Sequence, residues 1–267
     1  MRIRGRDDER FDYPGRTNDP NGFKYGEKMS KRGKRYATLT SKVSSAERYT
    51  TESAFELIKQ LDSAKFDESV DVAVRLGVDP RHADQMVRGA CSLPHGTGRG
   101  VSVLVFAEGD AAAAATEAGA DFVGSKDLIE KIQKESWFGF DKTVATRSMM
   151  PKVARIGRVL GPRGLMPNPK IGTVVDDDKI SETVLALKRG KIDFRVEKAG
   201  IIHASIGRVS MEASQLQDNF CALIATLIRL KPSSAKGIYL RSISVSTTMG
   251  PGIRIDSNDA QRSSERF

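Results

Sequence analysis

Val101-Ser-Val-Leu-Val-Phe-Ala107 is the stretch on which the architecture turns. Its apolar side chains, interrupted by a single hydroxyl, leave no wet face. The stretch therefore reads as a strand covered on both sides in a parallel sheet. Downstream, Ala-rich Asp110 to Ala118 reads as a helix, Asp121 to Gly124 as a short strand, and Lys126 to Ser136 as a helix with Leu128, Ile129 and Ile132 inward. Thr143 to Thr146 reads as another strand, Met150 to Leu160 as a helix, and Asp178 to Lys188 as a helix with Ile180, Thr183, Val184 and Leu187 on one side. Strands and helices alternating over short connections predict a small α/β domain of parallel strands.

The flanks obey a different rule. Val70, Val72, Val74, Leu76 and Val78 alternate with Asp71, Ala73, Arg75 and Gly77, and Ile192, Phe194 and Val196 alternate with charged neighbours, so these strands have one wet face. Ile202 to Ile206 is expected to be the hairpin partner of the second. A helix capped at Thr50 or Thr51 is expected to run to about Ser63, and a longer one from Met211 to Leu230 to turn Leu216, Phe220, Leu223, Leu227 and Leu230 inward. Half-wet sheets on both sides of a buried-strand module predict that Val101 to Lys188 is inserted into a discontinuous domain, with the crossing at Ser92 to Gly100, where periodicity breaks.

The last predicted strand ends in Arg241-Ser-Ile-Ser-Val-Ser-Thr-Thr-Met-Gly-Pro-Gly252. Its period of two puts Ser242, Ser244, Ser246 and Thr248 on one face, and the Gly-Pro-Gly turn stops it. Short hydroxyls beside a glycine turn suit a sugar-phosphate backbone; a solvated edge strand would look the same.

Over 267 residues, Lys and Arg exceed Asp and Glu by 43 to 34, a net charge of +9 that favours an anionic partner. Residues 1–28 carry seven basic and six acidic side chains without periodicity and are expected to be a disordered N-terminal extension. Cys91 and Cys221 stand alone, which predicts reduced thiols, and no apolar run reaches membrane-helix length, so a soluble cytoplasmic protein is expected. Gly96-Thr-Gly-Arg-Gly100 precedes a strand instead of following one, which favours a hinge over a dinucleotide loop. Pro162, Pro167 and Pro169 remove amides that a phosphate loop would need. His82, His95 and His203 lack zinc-ligand spacing, Asp176 to Asp178 reads as a helix cap, and neither cysteine has a neighbouring base. No cofactor, metal or catalytic residue is expected.

Seven segments occur in the order found in the large-subunit ribosomal protein L-one family, which the chain resembles over about Met29 to Asp256. They are Ala64 to Val70 (AKFDESV), Leu76 to Arg81 (LGVDPR), Asp84 to Gly89 (DQMVRG), Leu93 to Gly98 (LPHGTG), Gly161 to Lys170 (GPRGLMPNPK), Gly190 to Arg195 (GKIDFR) and Ser246 to Pro251 (STTMGP). The bacterial branch is the better fit. Ser205 stands where the family usually has proline, and residues 1–28 precede the family's normal start.

The resemblance implies a discontinuous split β-α-β (ferredoxin-like) α+β domain over residues 29–96 and 189–257, with an inserted Rossmann-like three-layer α/β domain over 97–188 and a flexible tail over 258–267. It implies a non-catalytic, monomeric partner of a stem and internal loop of large-subunit ribosomal RNA in the mobile side stalk. It further implies help in releasing deacylated exit-site tRNA and repression through its own operon mRNA. RNA contact is carried over to Lys65, Phe66, Ser242, Thr248, Met249 and Gly250, and also to Lys191, Arg195, Lys198 and His203 as neighbours on the same sheet. Pro94, Gly96, Gly98 and Gly190 are the hinge positions. Two alternatives stand beside this: a nucleotide-binding enzyme module in the inserted domain, and a nonspecific RNA chaperone.

Overall fold

The computed structural model describes residues 33–44, 46–62 and 64–265, so the expectation for residues 1–28 lies outside the described residues. The topology is mixed α/β. Helix α1 (Lys34–Thr40) is followed by α2 (Thr51–Gln60), where the Thr50 hydroxyl accepts the Ser53 N–H as an N-cap and Ala54, Phe55 and Ile58 are buried. Strands β1 (Ser69–Leu76) and β2 (Arg88–Ser92) follow.

The apolar stretch forms β3 (Val103–Phe106), all of it buried. After it come α3 (Asp110–Glu117), β4 (Phe122–Gly124), α4 (Lys126–Glu135), β5 (Lys142–Thr146), α5 (Met150–Val153), α6 (Gly157–Leu160), β6 (Val174–Val175) and α7 (Ile180–Lys188). The four strands make a parallel sheet in the order β4-β3-β5-β6. Val103 and Val105 pack with Ala111, Ala115, Ile180 and Val184 of α3 and α7. Leu104 and Phe106 pack on the opposite face with Ile129, Ile132, Val153 and Leu160. Burial of alternate residues on two different helical layers is why β3 shows no polar period.

Strands β7 (Lys191–Arg195) and β8 (Ile201–Arg208), helix α8 (Ala213–Arg229), strands β9 (Leu240–Thr247) and β10 (Ile253–Ile255), and helix α9 (Ser257–Ser264) complete the chain. β10, β9, β1 and β8 form an antiparallel sheet in that order. β8 and β9, joined by α8, are each antiparallel to β1 and lie on either side of it. Their core draws on residues between Leu39 and Leu93 and between Phe194 and Ala260, and on none from β3 to α7.

Several expectations are corrected. β8 is not the hairpin partner of β7: it pairs with β1, whereas β7 pairs with β2 in a separate two-stranded ribbon. The turn at Glu197 to Gly200, with Gly200 at φ +76°, carries the chain from one sheet to the other. Leu230 is 39% exposed, because α8 ends at Arg229. Residues 258–265 are no flexible tail: α9 buries Ala260 and Ser264, and Asp259 accepts the Thr51 N–H at 2.7 Å. Asp176 pairs with Arg147 at 3.1 Å, and no aspartate side chain caps α7.

Candidate nucleic-acid interface

Helices α2, α8 and α9 cover one face of the antiparallel sheet, where Ile243, Val245 and Thr247 of β9 are buried. The alternate residues face the other way. Register places Ser246, Asp71 and Ser205 in one row across β9, β1 and β8; Arg254, Ser244, Ala73 and His203 in the next, across all four strands; and Ser242 and Arg75 in a third. All of these are exposed or half-buried. The face thus offers hydroxyls, two guanidiniums, one imidazole and a single carboxylate on a rigid support. Ser205, Ser244, Ser246, Asp71, Arg75 and Arg254 belong to it as much as the predicted Ser242 and His203; the alternation of each strand held that information, but not the pairing of β1 between β8 and β9.

Five predicted residues gather at one end of this face. Lys65 and Phe66 lead into β1, and Thr248, Met249 and Gly250 follow β9. Phe66 is 54% and Met249 45% exposed, unusual for side chains of this size. The Ser69 N–H donates to Thr248 Oγ1 at 3.1 Å, and the two hydroxyls lie 3.0 Å apart. Glu68, almost fully buried, accepts the Met249 N–H at 2.8 Å through Oε2, while its Oε1 and the Thr247 hydroxyl are buried without a hydrogen-bond partner. Gly250 packs over that hydroxyl; a Cβ there would lie 2.4 Å from Thr247 Oγ1, so only glycine lets the turn close.

Asp67 braces the same corner, accepting the Ser210 N–H at 3.1 Å and hydroxyl at 2.9 Å, with Arg208 3.5 Å away. Desolvation pushes its carboxyl up, but the Ser210 hydrogen bonds and the Arg208 charge outweigh that and hold it below the ordinary aspartate value.

The remaining predicted residues lie elsewhere. His203 is on the open face, with Nε2 3.3 Å from Glu197 Oε1. Lys191 and Arg195 are not on its sheet: they lie on β7, opposite Ser92 and Arg88 of β2. Lys198 sits in the turn between β7 and β8. Alternation revealed which residues share a face of β7 but could not reveal its partner.

The crossings meet. Gly96, Gly98 and Gly190 all have positive φ (+68°, +68° and +101°), and a Cβ on Gly190 would lie 2.4 Å from Gly96 Cα. Pro94 is exposed beside them. Asn219 of α8, fully buried, accepts the His95 N–H at 3.0 Å and donates to the carbonyls of Gly96 and Ile206, each at 2.8 Å. Sequence gave no sign of this clamp beyond a polar residue on the apolar side of a helix. A cleft of about 520 Å³ opens between the Phe66–Ser69 corner and Arg99, Asp141 and Lys142. Lys142 also pairs with Asp193 of β7, tying the parallel sheet to the ribbon.

Among the described residues, no group of three or more His, Cys, Asp or Glu could hold a metal ion, and no helix is long and apolar enough to cross a membrane. The model of the ribosomal protein L1p/L10e family matches residues 57–251, from α2 through the glycine turn. A relative from Bdellovibrio bacteriovorus, the large ribosomal subunit protein uL1, is 56% identical over 228 residues, covering 85% of this chain and 96% of its own. With a family match over residues 57–251 that reaches the glycine turn, and a relative 56% identical over 85% of the chain, the chain belongs to the ribosomal protein L1p/L10e family.

Proposed function

We propose that this protein holds a stem and internal loop of large-subunit ribosomal RNA on the open face of its antiparallel sheet, as the protein of the ribosome's mobile side stalk. Family membership makes it a structural ribosomal protein and not an enzyme. The observation that carries the RNA reading is the corner where the exposed Phe66 and Met249 side chains accompany the Thr248 hydroxyl, which is tied to Ser69 just after Phe66. Apolar side chains there meet sugar or base, the hydroxyl meets ribose, and Gly250 lets the backbone approach. Ser242 and His203 extend the contact along the sheet, and Lys65, Lys191, Arg195 and Lys198 add the salt-dependent attraction of nearby cations.

In this reading residues 29–96 and 189–265, with α9 included, form a discontinuous split β-α-β (ferredoxin-like) domain that holds the RNA. Residues 97–188 form a Rossmann-like domain that swings about Pro94, Gly96, Gly98 and Gly190. The swing serves release of deacylated tRNA from the exit site, and the same surface represses the protein's own operon mRNA in the cytoplasm by binding a similar stem. The free protein is a monomer. Competition by unrelated RNA at physiological salt tests the reading: stem binding that resists competitor is expected, and equal displacement by any RNA would make the protein a nonspecific chaperone.

A further inference from the structure

At the end of the antiparallel sheet opposite the Thr248–Gly250 turn, Arg81, Lys198, Lys236 and Arg241 line one open recess of about 570 Å³. All four are exposed, and among the described residues none forms an ion pair with a carboxylate. The one carboxylate lining the recess, Asp79, accepts the Arg81 N–H at 3.0 Å. Glu197, next to Lys198, faces His203 instead. Nearby Asp84 is held by the Ser234 hydroxyl, which keeps its carboxyl below the ordinary value. The recess therefore concentrates positive charge that the protein itself leaves unused, which attracts an anion.

The position of the recess identifies the anion. Arg241 is the second residue of β9 and Thr248 follows its end, so the recess and the turn are about 23 Å apart at the usual rise per residue, joined by the outward hydroxyls of Ser242, Ser244 and Ser246. A free phosphate would fill the recess alone, whereas a nucleic-acid strand lying along the hydroxyl row reaches both ends. We propose that Arg81, Lys198, Lys236 and Arg241 form a phosphate-backbone site that extends the RNA footprint along the whole length of β1 and β9. This rests on the reading of the open face as the RNA surface. The turn selects the RNA; the recess adds sequence-independent, salt-dependent affinity.

The test is filter binding of the full chain to the large-subunit stem from about 50 to 200 mM salt, comparing wild type with Arg81→Gln/Lys236→Gln. Each lost phosphate contact lowers the slope of log affinity against log salt by about 0.7–0.9, so the double variant should lose about 1.5 and bind roughly tenfold more weakly at low salt. Lys126→Gln/Lys179→Gln, which removes the same charge from the parallel-sheet side, should leave the slope unchanged. An unchanged slope in the first variant overturns the proposal, and so does an equal loss in both, which would be a net-charge effect. Thr248→Val measured alongside separates this from the underlying reading. If Thr248→Val binds as wild type while the recess variant loses slope, the turn assignment fails and the recess stands. The reverse pattern sinks the recess alone. All variants are checked for unchanged melting.

Discussion

Ser69 and Thr248 lock together the two chain segments that form the Phe66–Met249 corner of the candidate interface. The Ser69 N–H donates to Thr248 Oγ1 at 3.1 Å, and the Thr248 N–H returns a bond to the Ser69 carbonyl at 3.1 Å. The Ser69 hydroxyl donates to Asp71 Oδ2 at 3.1 Å, so across the 3.0 Å gap between hydroxyls it is Thr248 that donates. With its proton committed and one lone pair taken by the Ser69 amide, the Thr248 oxygen keeps a single lone pair for a ligand. That pair needs a donor. A ribose 2′-OH supplies one, and an ionised phosphate does not.

Thr248→Val should therefore weaken binding of the ribosomal stem by about 1–3 kcal/mol while lowering the melting temperature only slightly, because the two Ser69 bonds it removes are exposed and water replaces them. Thr248→Ser should retain most of the affinity. Filter binding and thermal melts check both, and wild-type affinity in the valine variant would remove Thr248 from the interface.

Asn219 makes a buried prediction. Its amide serves the half-buried His95 N–H and Gly96 carbonyl and the buried Ile206 carbonyl, and Asn219→Ala leaves all three without this partner, the Ile206 carbonyl inside the protein. The expected cost is about 2–4 kcal/mol in urea unfolding. A loss below about 0.5 kcal/mol would mean that the crossing is held by something else.

Acid should act through Asp67. Its folded-state carboxyl titrates below the unfolded value, so the stability it contributes is present above about pH 4 and is lost as pH falls through the lower, folded value. Asp67→Asn should melt below wild type at pH 7, and the difference should shrink by pH 3. A difference that stays constant from pH 7 to pH 3 would show that the Asp67 charge is immaterial.

The touching crossings allow a deletion. Because Gly96 and Gly190 are in backbone contact and the antiparallel core uses no residue from β3 to α7, fusing Gly96 directly to Gly190 should leave a folded protein. It should bind the stem within about tenfold of wild type, or about 1.4 kcal/mol. A folded fusion that no longer binds would place essential contacts in the deleted segment.

The strands buried on both faces and the hydroxyl face of β9 were legible because period and apolarity are local properties. What sequence could not show was pairing. β2 (Arg88–Ser92) has no β-branched residue to mark it as a strand, and without it β7 seemed to belong with β8, which put Lys191 and Arg195 on the wrong sheet. α9 hides its contact in one buried alanine and one serine among polar residues. Without the family resemblance, Phe66 and Met249 read more readily as core; their exposure in the folded chain sets them apart.

The claim that the Phe66–Met249 corner is the RNA surface can be tested on the protein itself by hydroxyl-radical oxidation with and without the ribosomal stem. Both side chains are exposed and oxidisable, and Leu185 on α7, also exposed, serves as an internal reference. The account predicts that RNA protects Phe66 and Met249 strongly while Leu185 keeps its rate. Equal oxidation of Phe66 and Met249 in the free and the RNA-bound protein would contradict it.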